Sequence, residues 1–157
     1  MNSHRWGVGI GLVATVLGAA GAAHAREVYH SVPYQSQRVL SCNPNYLCGY
    51  TSANMLAAYR NRTQPTAESL RQMAIEEKGA ECPASLSNMD NYAEAAQEVG
   101  GAPHARVSYL TFDELKNVIY NEQTPVAVNL DYGVLGQYRL AKWSGGHTVV
   151  VLGYSES

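Results

Sequence analysis

The chain has 157 residues and a formal net charge of −2. With no lysine or arginine cluster beyond Arg60 and Arg62, that balance excludes an extended nucleic-acid-binding surface. No internal repeat, low-complexity tract or second hydrophobic span is present, so the chemistry has to be sought in individual residues.

The first element is a leader. Arg5 supplies a positive n-region, Val8 to Ala23 form a Gly/Ala/Val/Leu stretch too short and weak for a membrane span, and Ala23-His24-Ala25 is a small-x-small cleavage site. Residues 1–25 therefore read as a signal peptide, and residues 26–157 as a single exported domain, periplasmic or secreted, with no membrane span left after cleavage. Outside the cytoplasm a pair of cysteines is expected to be oxidised.

From Arg26 the chain opens with an extended Val32-Pro33-Tyr34-Gln35-Ser36-Gln37 and a turn-rich loop, Ser41 to Leu47. A first helix, about Gly49 to Arg60, places Ala53, Leu56 and Ala57 on one face. Pro65-Thr66 starts a second helix, with Leu70, Met73 and Ala74 at helical spacing up to Glu77. Ser87, with Asp90 three residues on, reads as the N-cap of a third helix carrying Met89, Tyr92, Ala93, Ala96 and Val99 and stopped by Gly100-Gly101. A short strand at Arg106 to Leu110 precedes a capping box, Thr111-Phe112-Asp113-Glu114, for a fourth helix. Pro125 to Leu130 and His147 to Tyr154 are β-rich runs joined by a hairpin-like connection. Helices first and antiparallel sheet afterwards give an α+β fold, with a cleft between the two halves.

Two residues stand out on opposite halves. Cys48 directly precedes a helix, where the unpaired N–H groups and the positive end of the macrodipole favour a thiolate. His147 follows Gly145-Gly146 and opens the strongest strand of the chain. A helix-borne thiol and a strand-borne imidazole far apart in sequence are the arrangement of cysteine acyl-transfer enzymes. His30 and His104 lack that context and read as solvated surface groups. Three cysteines leave one over after any pairing: Cys42 with Cys82 would staple two loops and leave Cys48 free, whereas Cys42 with Cys48 would remove the nucleophile. A zinc site from Cys42, Cys48, Cys82 and His147 is disfavoured because Cys42 and Cys48 are wider apart than the short chelate spacings of structural zinc sites. No metal or cofactor is expected.

Three blocks then carry a family resemblance: Val32-Pro33-Tyr34-Gln35-Ser36-Gln37, Cys48-Gly49-Tyr50-Thr51-Ser52-Ala53-Asn54-Met55-Leu56 and Gly146-His147-Thr148-Val149-Val150-Val151-Leu152-Gly153-Tyr154. In that order they resemble the blocks of peptidase C39-like domains, a branch of the papain-like cysteine peptidases, over nearly all of residues 26–157. The resemblance implies a peptide or protein substrate, Cys48 as nucleophile, His147 as general base, and Gln37 as an oxyanion-hole donor beside the Cys48 backbone N–H, with Gln35 as fallback. Gln37 lies eleven residues before Cys48, so the intervening loop must bulge. The family's Asp or Asn on the strand after the histidine has no match before Ser157, and Glu156 is too close along the same strand. Asn129, and after it Asp131, on the preceding strand are the substitutes. Exporter spans and a nucleotide-binding motif, found in the leader-cutting members, are absent from this sequence, so leader processing does not carry over. The expected function is a cysteine hydrolase; the alternatives are acyl or amide transfer by the same chemistry and a non-catalytic binding domain.

Overall fold

The computed structural model describes residues 6–9, 27–85, 87–131 and 146–156. In chain order these form β1 (Trp6–Gly9), β2 (Glu27–Tyr29), α1 (Cys48–Asn61), α2 (Ala67–Lys78), α3 (Met89–Glu98), β3 (Val107–Leu110), α4 (Phe112–Asn121), β4 (Val126–Asp131), β5 (Gly146–Val151) and β6 (Gly153–Ser155). The architecture is α+β, with antiparallel sheets. The expected connection between the last two β runs falls largely at 132–145, outside the described residues. No helix among the described residues is long and apolar enough to cross a membrane.

Local chemistry sets the helix ends. The Thr111 hydroxyl accepts from the Glu114 N–H at 3.3 Å while Glu114 Oε2 accepts from the Thr111 N–H at 2.7 Å, a reciprocal capping box. Thr66 and Ser69 cap α2 in the same way. The cap of α3 is Asn88, one residue after the expected Ser87: Asn88 Oδ1 accepts from the Asn91 N–H at 2.9 Å. Ser87 is taken up by tertiary bonds instead, its Oγ lying 2.9 Å from the Tyr50 hydroxyl and its N–H donating to the Tyr92 hydroxyl at 3.2 Å.

Two hydrophobic clusters build the domain. Leu47, Tyr50, Ala53, Ala57, Leu70, Met73, Tyr92 and Ala96 unite α1, α2 and α3, and each wholly buried Leu contributes roughly 1.5–3 kcal/mol. The helix α1 is central rather than one-faced, since every residue from Cys48 to Asn54 is buried. Leu115 and Ile119 of α4 pack on Val126 and Val128 of β4, with Val149 and Val151 of β5 against them.

The larger sheet has the order β3-β1-β4-β5. Strand β1, inside the segment read as a leader, runs antiparallel to β3 from Trp6↔Leu110 to Gly9↔Val107 and touches β4 at Val8↔Val128. The single C-terminal strand expected from His147 to Tyr154 is instead two. At Leu152 the chain leaves β4, and β6 pairs with β2 through Val28↔Tyr154. Gly153 permits this crossing: a Cβ there would stand 1.9 Å from the Val28 carbonyl oxygen. His30 also departs from its expected surface position. It is buried, with Nε2 3.0 Å from the Ile119 carbonyl and Nδ1 3.2 Å from the Tyr59 hydroxyl, and so ties the segment that leaves β2 to α1 and α4.

Candidate active site

Between the N-terminal half of α1 and β5 lies a cleft of about 480 Å³. Cys48, Gln35, Gln37 and His147 all line it, although they come from distant parts of the chain. Cys42 and Cys82 are joined by a disulfide, and Cys48 is the free cysteine. The four residues considered for zinc therefore do not converge, and no group of three or more His, Cys, Asp or Glu able to hold a metal occurs among the described residues.

The loop before α1 explains how the long Gln37-to-Cys48 separation is accommodated. Ser36 starts a turn closed by the Val39 N–H on its carbonyl at 3.2 Å, and the Ser36 hydroxyl accepts from the Arg38 N–H. That turn presents Gln37 and Arg38 to the cleft. The excess chain is then pinned by buried Leu40, by the disulfide at Cys42, by a 3₁₀ turn at Pro44–Tyr46 and by fully buried Leu47. Cys48 is the first residue of α1, which has neither a capping side chain nor an acidic residue in its first turn, so the positive end of the helix is left unscreened at the sulfur.

The backbone behind the sulfur is held by α3. The Tyr92 ring lies directly on Gly49: a Cβ at that position would fall 2.1 Å from Tyr92 Cε2 and Cζ. Tyr92 meets Tyr50 edge-on at 4.9 Å and 84°. Burial pushes the Tyr50 phenol up to about 12 and Tyr92 further still, Cys48 adding to the latter, so both remain neutral packing groups with hydroxyls engaged at Ser87.

On the facing wall, His147 is half-buried, and desolvation holds its imidazole below its ordinary value. The neutral ring is the form that a general base requires. The Ser52 hydroxyl donates to the Thr148 carbonyl at 3.4 Å and so joins α1 to β5 beside the cleft.

The two glutamines differ in what they already hold. Gln35 is buried, and its Oε1 accepts from Asn54 Nδ2 at 2.8 Å while Asn54 also donates to the Thr66 carbonyl. Gln37 makes no such bond among the described residues, which leaves its amide available to the cleft. Asn129 is not brought to the imidazole. The register sets Asn129 opposite Thr148 and Leu130 opposite His147, so strand alternation sends the Asn129 side chain to the other face. Its carboxamide lies against Gly146, where a Cβ would be 2.9 Å from Oδ1. Asp131 stands opposite Gly146 in the register rather than opposite His147, and Glu156 binds Lys116 of α4 at 2.9 Å.

Three cleft residues were not singled out from the sequence. Thr51 is buried and its Oγ1 has no hydrogen-bond partner among the described residues; it stands one helical turn after Cys48, a spacing that could have revealed it. Among the described residues, Arg38 is the only Lys, Arg, Asp or Glu lining the cleft. Ser52 stands in the second sequence block without a role assigned to it there.

The Peptidase_C39 like family matches residues 29–157. The chain belongs to that family. No curated protein and no solved structure matches it. Membership in the peptidase C39-like family implies the papain-like fold, which agrees with a helical half carrying the cysteine and a sheet half carrying the histidine.

Proposed function

We propose that this C39-like domain is an exported cysteine hydrolase that cleaves a peptide or amide bond of a peptide or protein substrate through a thioester on Cys48. The observation that carries the reading is the meeting of Cys48, His147 and Gln37 on one cleft from three separate segments. His147 takes the thiol proton, and the sulfur attacks the scissile carbonyl carbon. The oxygen, now negative, is received by the Gln37 amide and the Cys48 backbone N–H. Collapse of the adduct expels the amine, which leaves with the proton held by His147. Water, deprotonated by the same imidazole, then attacks the thioester and releases the acid and the free thiol. An acceptor amine in place of that water would make the protein a transferase.

One observation favours a binding-only reading, namely that Asn129 lies on the face away from His147. Iodoacetamide labelling near neutral pH, together with a broad peptide library, separates the readings. The hydrolase labels rapidly at Cys48, is slowed by His147→Ala, and cleaves peptides only while Cys48 is present. Labelling indifferent to His147→Ala with no cleavage gives the binding domain instead. Export rests on the leader, and N-terminal sequencing of the protein recovered outside the cytoplasm should begin at Arg26; recovery with Met1 intact would overturn processing after Ala25.

A further inference from the structure

A second cavity, of about 350 Å³, lies at the far end of α1 from the cleft. Twelve residues of helix between Cys48 and Arg60 place the two roughly 18 Å apart along the axis. The cavity has apolar walls that include Leu56 and Pro125, and two exposed guanidinium residues, Arg60 and Arg62, lie on its lining. Glu122 also lines it, and Glu122 Oε2 is buried without a hydrogen-bond partner among the described residues.

Three features of this cavity point to a ligand. A buried carboxylate oxygen without a donor has lost its water contacts and gained nothing in exchange. Neither Arg60 nor Arg62 forms an ion pair with it or with any other described carboxylate. Finally, the described non-glycine residues with left-handed backbone, Arg62 at φ 55 and Gln123 at φ 50, both line this one cavity. They terminate α1 and α4, whose carbonyl ends carry the negative pole of each helix. Two helix C-termini and an orphaned carboxylate oxygen favour a positively charged donor at depth, while the two arginines favour an anion nearer the solvent.

We propose that this cavity is a binding site for a small zwitterion of the amino-acid or short-peptide class. Its ammonium is held by Glu122, its first side chain rests on Leu56 and Pro125, and its carboxylate faces Arg60 and Arg62. The site is independent of the thioester chemistry, and its ligand is a free amino acid or short peptide of the surroundings.

The test is an NMR titration of the full chain with L-leucyl-L-alanine, N-acetyl-leucyl-alanine and leucyl-alaninamide. The proposal predicts that the free dipeptide shifts the amides of residues 122–124 rather than those of residues 35–38. Acetylation of the amine should weaken binding at least about tenfold, the scale of a hydrogen bond to a charged group. Amidation should weaken it about threefold, as for an exposed ion pair. Glu122→Gln should abolish the discrimination against the acetylated ligand. No binding, as for a water-filled cavity, or equal binding of all three ligands would overturn the proposal. Because the ligand series is run on the unaltered protein, that comparison holds even where the variant folds poorly.

Discussion

Gly49→Ala probes how the cysteine is positioned. The new methyl would lie 2.1 Å from Tyr92 Cε2 and Cζ and 2.5 Å from Cδ2, so the ring or the start of α1 must move by more than about 1 Å to reach ordinary contact. Tyr92 is only 4% exposed and has no open side to retreat into. Overpacking of this kind costs about 1–3 kcal/mol. Displacing the ring also forfeits its edge-on contact with Tyr50, about 0.5–1.5 kcal/mol, and strains the Ser87 bond to its hydroxyl, about 1 kcal/mol. Against this stands the helix preference for Ala over Gly, about 0.5–1 kcal/mol. The net loss is about 1.5–5 kcal/mol, measurable by urea denaturation. In a Tyr92→Ala background the methyl occupies vacated space and should cost less than about 0.5 kcal/mol, so the double-mutant cycle should return a coupling near 2 kcal/mol or more. Additive effects, or a Gly49→Ala protein as stable as the parent, would refute the claim that Tyr92 fixes the backbone at Cys48.

Other outcomes follow from the same geometry. Replacing Cys42 and Cys82 together by Ser opens a loop of sequence separation 40 and should cost about 4 kcal/mol on the chain-entropy relation, read from urea midpoints under non-reducing conditions; an unchanged midpoint would contradict it. Because burial lowers the His147 value, the unfolded chain takes up a proton first as pH falls below about 6.5, so stability is full above that pH and is lost toward the lower folded value. His147→Gln should remove that part of the pH dependence, and a variant with the parent's slope would show that it arises elsewhere. Thr51→Val deletes an orphaned hydroxyl at nearly constant shape and should raise stability by about 1 kcal/mol in thermal melts, whereas a loss would mean that the hydroxyl is paired in solution.

Elements decided by local chemistry are legible in the sequence. The Thr111–Glu114 box marks the start of α4 correctly because both partners lie within one turn. The α3 cap is expected one residue early because Ser87 and Asn88 are equally able caps, and the choice is made by Tyr50 and Tyr92 claiming Ser87. The break at Leu152 is hidden for a similar reason: the apolar run continues, and only the close approach of Val28 to Gly153 reveals the change of partner. His30 looks like a surface residue in the sequence because its two buried partners, Ile119 and Tyr59, come from α4 and α1. Cys48, His147 and Gln37 are recognisable from three sequence blocks. The face of Asn129 depends on register, which a run of alternating residues does not fix without its partner.

The most direct test of the central claim is trapping of the acyl-enzyme. The full chain is mixed with a peptide that it cleaves, or with an activated ester of that peptide, quenched in acid after short times, and mapped by mass spectrometry. The account predicts an acyl adduct on the Cys48 peptide that rises before product, is absent in Cys48→Ala and accumulates much more slowly in His147→Ala. Cleavage with no adduct on Cys48 at any time, or undiminished cleavage by Cys48→Ala, would contradict it.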